Sequence, residues 1–200
     1  MPKPRWFLPF ALIGLLVGGG CKTAADRAIV SVVRITGEQV VEGWGPRQYV
    51  CSGMVIAANR VLTAAHCAGK PMFVDGRPAF IIRSDDHYDL LLLTTSTTKP
   101  SLTIRARPPT PREHLTALGF LFGWSTPAAL PVSVLLVDMP GWSVTTPGLI
   151  VLPGYVRGMS GGPVVDRRGQ VVGIIQQSQE GLGYGIGSLL MRAFLLGPDS

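Results

Sequence analysis

Charged residues are scarce in this sequence, and their scarcity excludes a disordered chain. Only 15% of the 200 residues are charged, whereas 46% are hydrophobic. Disordered segments have the opposite balance, because they cannot bury enough apolar surface to offset the entropy lost on ordering. The sequence therefore predicts a globular protein with a large core, built as one domain or as two tightly coupled halves.

The sequence also lacks an apolar run long enough to span a membrane comfortably. The apolar stretch at residues 7–17 follows a short basic start and precedes small residues at 18–20. It falls short of the roughly 20 apolar residues that a bilayer requires. This order of basic, apolar and small residues predicts a secretory signal peptide over residues 1–20.

The first cysteine comes directly after those small residues. Cys21 in this position resembles the bacterial lipoprotein signal, in which that cysteine is lipidated, although Gly18 stands where the signal usually has leucine. The resemblance implies an exported protein that is anchored in a membrane through Cys21 and faces the periplasm or the cell exterior, with residues 21–27 as a tether. A plainly cleaved signal or an uncleaved anchor is the alternative.

Aromatic residues are absent from the basic cluster of the sequence. The formal net charge is +6, and Arg105, Arg107 and Arg112 lie close together in a proline-rich stretch. Nucleic-acid sites interleave such charges with aromatic side chains that stack on bases. We therefore expect no nucleic-acid partner, and we interpret the cluster as a solvated linker or as a source of weak attraction to anionic surfaces.

Glycine and proline are abundant, with 25 and 17 residues, and they separate short runs rich in Val, Ile and Leu. Such a pattern predicts short strands joined by turns, and therefore an all-β protein. The predicted strands cover 28–36, 48–57, 61–65, 72–74, 79–83, 90–94, 115–120, 130–138, 149–152, 164–165, 170–177 and 184–187. A turn is predicted at 37–47, and a helix at 188–196 with Ser188 as its N-cap.

Residues 158–163 read Gly-Met-Ser-Gly-Gly-Pro and place Ser160 between glycines. Glycine adopts backbone angles that a side chain would forbid, so such a turn can direct several N–H groups at one small site around the hydroxyl. This arrangement suits a nucleophile with an oxyanion hole. From this motif alone, a glycine-rich loop between two strands is the alternative.

Two other motifs hold the groups that a serine nucleophile needs. The sequence Thr-Ala-Ala-His-Cys places His66 after an apolar strand, and Tyr-Asp-Leu-Leu-Leu-Leu places Asp89 before an apolar run. A histidine activates a serine as general base, and a carboxylate fixes its tautomer and stabilises its charged form. Asp85 and Asp86 compete for the carboxylate role, but they lack the apolar run, and we expect them in an exposed turn.

The chain order His66, Asp89, Ser160, within these three motifs, resembles the trypsin-like serine proteases of the chymotrypsin fold. In texture it is similar to the bacterial Deg/HtrA-like protease domain without a PDZ domain. The resemblance implies two six-stranded-type antiparallel β-barrels and a short C-terminal helix. It divides a protease domain at 28–196 into a first barrel at about 28–95, a linker at 96–113, a second barrel at about 114–187 and the helix at 188–196.

The same resemblance implies a serine endopeptidase that cleaves protein or peptide substrates through an acyl-enzyme, without a metal or an organic cofactor. Ser160 would be the nucleophile, His66 the general base and Asp89 the orienting carboxylate. The backbone N–H groups of Gly158 and Ser160 would form the oxyanion hole.

The resemblance also bears on the three cysteines. In this family a disulfide with the spacing of Cys51 and Cys67 closes the histidine loop, and this pairing would leave Cys21 for lipidation. Oxidation of this pair requires an oxidising compartment, which export provides. Three unpaired thiols are the alternative.

Departures from the family pattern limit what is expected of specificity. Met159 replaces the aspartate of digestive members, so activation by a new N-terminus is not expected. Gly154 brings no acid to the primary pocket, which favours an apolar or small residue before the scissile bond. Arg157 favours acidic substrates or is simply solvated. Gln176 and Gln177 are predicted to lie on the edge strand to which substrate backbone adds.

Two other functions are compatible with the sequence. A binding or structural lipoprotein would keep the triad on a protease-like scaffold with a blocked pocket. An esterase would apply the same chemistry to another bond. The sequence indicates neither a natural substrate nor an oligomeric state.

Overall fold

The computed structural model describes residues 22–41, 43–141, 144–152, 157–179 and 182–197. The predicted signal peptide, Cys21 and Gly154 lie outside the described residues. The first antiparallel sheet contains β1 Val32–Val41, β2 Gly45–Ala57, β3 Arg60–Thr63, β4 Met72–Val74, β5 Arg77–Pro78, β6 Phe80–Asp85 and β7 Leu90–Thr94. The second contains β8 His114–Gly119, β9 Ala128–Gly141, β10 Val144–Leu152, β11 Pro163–Val165, β12 Val171–Gln179 and β13 Leu182–Gly187. The helices are α1 Ala24–Ala28 and α2 Ser188–Leu196.

Both sheets curl into barrel-like halves. The first has the strand order β5-β4-β1-β2-β3-β7-β6, and the second closes in the order β10-β13-β12-β11-β8-β9. The prediction of an all-β chain with two antiparallel barrels and a short C-terminal helix is therefore confirmed. Neither α1 nor α2, the helices among the described residues, has the length and apolar character needed to cross a bilayer.

The segment after Cys21 differs from the predicted tether and strand. Residues 24–31 form α1 and a 3₁₀ turn, and β1 begins only at Val32. Thr23 and Asp26 form a capping box, in which each backbone N–H donates to the other side chain, and this cap starts the helix. Ala28 is buried in the core. These residues therefore dock on the domain instead of forming a free connection.

The predicted turn at residues 37–47 is wrong in extent. β1 continues to Val41 and pairs it with Gly45, so the two strands of a hairpin occupy most of the range predicted as a turn or hairpin tip. Gly37 lies inside β1, where an added Cβ would collide with the Tyr49 hydroxyl. This glycine permits close packing and does not mark a turn.

A shared apolar cluster joins the two halves. It is built from buried residues of the first sheet, the second barrel and α2, among them Met54, Leu62, Leu90, Val171, Ile174 and Met191. Burying a side chain of this size contributes about 1.5–3 kcal/mol. The cluster therefore fixes the two halves relative to each other, and with them the loops that each half contributes to the site.

The linker between the halves is hydrogen-bonded to both of them. The Leu102 N–H donates to the Val55 carbonyl of β2 at 2.8 Å, and the Arg105 N–H donates to the Val171 carbonyl of β12 at 2.8 Å. The prolines of the linker cannot donate, but residues 102–105 lie between them and keep their N–H groups.

The closing helix has the predicted bounds but a different N-cap. Gly187 occupies the cap position without a side-chain bond, and Ser188 is the first helical residue. The Ser188 hydroxyl donates to the Arg107 carbonyl at 3.4 Å. The serine therefore connects the helix to the linker instead of capping its own N–H groups.

Candidate active site

Asp89 holds His66 through its backbone and its ring. The His66 N–H donates to Asp89 Oδ1 at 2.7 Å, and His66 Nδ1 lies 2.8 Å from Asp89 Oδ2. Because a carboxylate only accepts hydrogen bonds, we assign the ring proton to Nδ1, which leaves Nε2 as a free acceptor. The carboxylate therefore sets both the orientation and the tautomer of the imidazole.

The local backbone explains why Asp89 can reach His66. Asp89 has a φ of 52°, in the left-handed region that aspartate tolerates better than most residues. The leucines of β7 that follow are buried and fix its position. The Ala65 N–H also donates to the Asp89 carbonyl at 3.1 Å. Asp89 is thus bound to the histidine turn by its main chain and its side chain.

Asp86 lies in the exposed turn that was expected, whereas Asp85 is the half-buried last residue of β6, and both make local bonds. Asp85 Oδ1 accepts from the Tyr88 N–H at 3.0 Å. Asp86 Oδ1 accepts from the Ser84 hydroxyl at 3.0 Å, and Asp86 is exposed. Of the three aspartates, only Asp89 contacts His66.

A disulfide joins Cys51 of β2 to Cys67, the residue after His66. The pairing implied by the family resemblance is therefore present, and the alternative of three unpaired thiols is wrong. The two sulfur atoms and a nitrogen of His66 lie within 4.8 Å of one another. Because the disulfide uses both sulfurs, this cluster offers no thiolate to a metal ion while it is oxidised.

The turn that carries Ser160 is fastened by backbone bonds on both sides. The Gly161 N–H donates to the Ile175 carbonyl at 2.6 Å, and the Ser52 N–H of β2 donates to the Ser160 carbonyl at 2.8 Å. Met159 is fully buried in the core of the second barrel. The residue that replaces the aspartate of digestive proteases therefore anchors the turn by packing.

The glycines of this turn are required by space as well as by conformation. Gly158 has a φ of 91°, and a Cβ there would collide with the Phe120 carbonyl oxygen. Gly161 has a φ of 80°, and its Cβ would collide with the Thr63 hydroxyl and a carbonyl oxygen of β2. A larger residue at either position must displace the backbone of the site.

Two backbone donors beside the Ser160 hydroxyl are unused. The Phe122 N–H donates to the Arg157 carbonyl at 2.6 Å, and in a trans peptide the N–H of the next residue points the opposite way. Within the described part of the chain, neither the Gly158 N–H nor the Ser160 N–H donates a hydrogen bond. Both are therefore available to an oxygen atom that enters the site.

Ser160 opens into a cleft of 560 Å³ between the two halves. The cleft is lined by Tyr49, Val50, Phe122, Gly123, Arg157, Gly158 and Ser160. Arg157 is exposed at this cleft, close to where the sequence predicts it. The Tyr49 hydroxyl is buried and has no hydrogen-bond partner among the described residues, and burial raises the pKa of Tyr49 to about 12.

The Ser160 hydroxyl donates to the Gln176 carbonyl at 3.1 Å. No hydrogen bond joins it to the His66 ring, both residues being described. The Gln176 side-chain amide donates to the carbonyl of Tyr88, next to Asp89, at 2.8 Å. Gln176 therefore links the serine turn to the loop that carries the carboxylate.

The strand pairing of β12 changes at Gln176. β12 pairs with β11 only as far as Ile174, and an irregularity in its pairing with β13 falls between Ile175 and Gln177. Gln177 is paired with Tyr184 of β13, and its side chain lies outside the described residues. The opposite edge of β12 beyond Ile175 is not occupied by another described strand.

Ser52 was not predicted from the sequence. Its fully buried hydroxyl donates to the Gly158 carbonyl at 2.6 Å and accepts from the Phe120 N–H at 2.9 Å. It thereby ties the first sheet to the turn before Ser160. The available signal was a serine inside a strand whose other central residues are apolar, since a buried hydroxyl requires partners.

A family model described as Trypsin-like peptidase domain matches residues 51–174. No curated protein sequence matches the chain. Among solved structures, the active form of the Rv3671c protease from M. tuberculosis is similar, with a TM-score of 0.77 and 22% identity over 90% of this chain and 86% of that one. Its inactive form gives 0.73 and 21% identity over 88% and 94%. The serine endoprotease from Yersinia pestis gives 0.71 and 22% identity over 86% and 64%.

Proposed function

Because the chain belongs to the family of trypsin-like peptidase domains, we propose that it is a serine endopeptidase with His66, Asp89 and Ser160 as its catalytic triad. One observation supports this most strongly. Asp89 holds His66 Nδ1 at 2.8 Å, and Gln176 connects the Asp89 loop to the Ser160 hydroxyl. A histidine with a fixed tautomer and a serine are therefore connected through Asp89, its loop and Gln176.

In the proposed reaction, the Ser160 oxygen bonds to the carbonyl carbon of the substrate while His66 Nε2 takes the hydroxyl proton. His66 then gives this proton to the amine nitrogen, and the C–N bond breaks to leave an acyl-serine. A water molecule, deprotonated by the same imidazole, hydrolyses the ester and restores the serine. Asp89 stays ionised and stabilises the imidazolium in both halves of the reaction.

The bond from Ser160 to the Gln176 carbonyl is a resting arrangement in this proposal. Catalytic hydrogen bonds are often absent or long before the substrate binds. Rotation about the Cα–Cβ bond of Ser160 exchanges this acceptor for His66 Nε2 without moving the backbone. The unused N–H groups of Gly158 and Ser160 then receive the oxygen that becomes negative, a contribution of about 2.7–4 kcal/mol per donor.

We propose that substrate backbone adds alongside β12 at Gln176 and Gln177. Strand addition provides main-chain hydrogen bonds without demanding a particular sequence. The residue before the scissile bond is expected to be apolar or small, because Gly154 brings no charge. Arg157 at the mouth of the cleft would favour acidic residues in the substrate.

A fluorophosphonate probe tests the catalytic proposal directly, since it reacts only with an activated serine. The wild-type chain should be labelled, and Ser160→Ala should not. Ser101→Ala, a matched change at an exposed serine, should be labelled like wild type. Folded wild-type protein without labelling would favour a non-catalytic scaffold, for which the resting Ser160–Gln176 bond is the supporting observation.

Substrate class is tested with a peptide library and matched ester substrates. Cleavage products read by mass spectrometry should show internal cuts, mostly after small or apolar residues. Cleavage of esters without cleavage of any peptide would assign the site to an esterase. An Arg157→Gln variant should lose any preference for acidic residues while it keeps cleaving the other peptides.

We propose further that the chain is exported and anchored by a lipid on Cys21. The support lies in the sequence, where a basic start, an apolar run and small residues lead to that cysteine. Intact mass measurement of membrane-extracted protein should give a chain that starts at Cys21 and carries acyl groups. Cys21→Ser should release the chain from the membrane or leave the leader uncleaved, whereas an unmodified wild-type mass would refute lipidation.

A further inference from the structure

Four arginines surround a cleft of 780 Å³ on the second half of the molecule. They are Arg107 and Arg112 of the linker, and Arg167 and Arg168 of the turn between β11 and β12. All four are exposed. We call this surface the arginine face.

The acidic groups in this cleft are already engaged. Arg105 lies 2.7 Å from Glu113 and 3.3 Å from Asp166, and the Arg105 side chain is only 18% exposed. The hydrogen bond from Arg105 lowers the pKa of Glu113, and the bond to Glu113 raises the pKa of Arg105. Glu113 and Asp166 are therefore committed to a half-buried arginine instead of neutralising the exposed ones.

The four exposed arginines have no ion pair in the described part of the chain. Their positions are set by the fold. Arg112 is held in the left-handed region, with a φ of 65°, by donation of its N–H to the Val134 carbonyl at 2.8 Å. The turn with Arg167 and Arg168 is closed by a bond from the Gly169 N–H to the Asp166 carbonyl. Cations presented together in this way create a positive potential that attracts anions.

The N-terminal end of the described chain meets this same face. A Cβ on Gly169 would lie 3.2 Å from the Ala24 carbonyl oxygen and 3.7 Å from the Ala24 Cβ, so α1 begins against the turn that carries Arg168. Lys22 is two residues away, within about 7 Å along the chain. Cys21 precedes Lys22 in the sequence, so the proposed lipid anchor joins the chain beside the arginine face.

Resting on the lipid anchor proposed above for Cys21, we propose that the arginine face binds the anionic headgroups of a lipid bilayer and lays the domain on the membrane beside that anchor. The partner follows from position as well as charge, because an acylated Cys21, next to Lys22 in the sequence, brings the bilayer to this side of the domain. Each arginine near an anionic bilayer strengthens binding about fivefold. The arginine face follows β11 and the Ser160 turn precedes it.

The test uses the full chain, reconstituted in two kinds of vesicle. One contains phosphatidylcholine alone, and the other also contains about a third phosphatidylglycerol, an anionic lipid that attracts basic residues strongly at this fraction. Brief reaction with phenylglyoxal modifies the arginine side chains that the reagent can reach. Peptide mass spectrometry then shows which arginines the membrane covers. Phosphatidylglycerol should slow modification of the four arginines of the face, and added salt should restore it. Arg60 and Arg77 of the first sheet serve as internal controls and should react equally in both vesicles.

Two double variants distinguish the effect of the arginine face from the effect of the protein's total charge. Arg167→Gln with Arg168→Gln should weaken docking about 30-fold and expose Arg107 and Arg112 to the reagent. Arg60→Gln with Arg77→Gln removes the same charge elsewhere and should leave the protection unchanged. The proposal is overturned if the four arginines react equally in both kinds of vesicle, or if neither kind of vesicle retains the protein. It is also overturned if soluble polyglutamate protects these arginines and phosphatidylglycerol does not. Fluorophosphonate labelling of the same samples reports the proposed activity separately.

Discussion

The first sheet holds His66 with side-chain hydrogen bonds and a disulfide, whereas the second barrel holds Ser160 with backbone bonds and glycines. On one side, the Asp89 carboxylate and the bridge from Cys51 determine where the imidazole lies. On the other, Gly161 and the buried Met159 determine where the hydroxyl lies.

This difference predicts that different changes disrupt the site geometry in the two halves. A site held by side chains depends on the ionisation and oxidation of those side chains. A site held by backbone depends on the space around each Cα, because the bonds themselves do not titrate. Variants can therefore damage one half of the site and leave the other intact.

The largest expected effect is on catalysis, through the carboxylate of the first half. Asp89→Asn keeps the shape of the side chain but presents an amide to His66 Nδ1, which disfavours the tautomer with a free Nε2 acceptor. Peptide hydrolysis and fluorophosphonate acylation should fall about 10⁴-fold. Asp86→Asn, in the exposed turn, should have no such effect, and equal rates for the two variants would remove Asp89 from the mechanism.

The next effect is on stability, through the glycine turn of the second half. Gly161→Ala should lower the free energy of unfolding by about 3 kcal/mol more than Gly76→Ala, because overpacking and backbone displacement add to the strain. The two glycines have φ values of 80° and 78°, but a Cβ on Gly76 meets nothing within 4 Å. Denaturant unfolding measures the difference. Equal losses would mean that the positive φ alone requires glycine at 161.

Removal of the disulfide should destabilise the first half. Replacing Cys51 and Cys67 by alanine should lower the free energy of unfolding by about 3 kcal/mol, the chain-entropy value for a loop of this size. A reductant should destabilise the wild type by a similar amount and leave the double variant unchanged. A reductant that shifts both proteins equally would point to a cause other than this bridge.

The smallest effect concerns the pH dependence of the second half. The Arg105 bond lowers the Glu113 pKa below its ordinary value of 4.5, so ionised Glu113 stabilises the fold above that value, and this stability is lost as the pH falls below it. The stability gap between wild type and Glu113→Gln should therefore narrow from neutral to acid pH. In an Arg105→Gln background the gap should be small at every pH. A gap in wild type that stays constant with pH would contradict this assignment.

Regular patterns in the sequence predicted the strands well, whereas a glycine required by close packing was wrongly included in a predicted turn. The strand β4 and the helix α2 have their predicted bounds, because apolar runs between turn-forming residues leave few alternatives. The predicted turn at 37–47 included Gly37, because the sequence alone does not distinguish a glycine in a strand from a glycine in a turn. Only the contact with the Tyr49 hydroxyl distinguishes them.

The basic cluster shows the same limit. Sequence alone placed Arg105, Arg107 and Arg112 together as solvated charges. The fold gives them different environments, since Arg105 is half-buried against Glu113 and Asp166, whereas the other two remain exposed. Asp166 is 61 residues from Arg105 along the chain, so no local pattern could reveal the pair.

The sequence by itself determined the all-β class, the three motifs with their chain order, and the cysteine spacing, because short-range patterns and residue chemistry encode these features. Tertiary structure decided that Asp89 and not its neighbours reaches His66, that Ser52 ties the first sheet to the Ser160 turn, and that α1 begins beside the arginine face. Those outcomes depend on contacts between segments far apart in the chain, which packing of the shared core brings together and which no window of sequence contains.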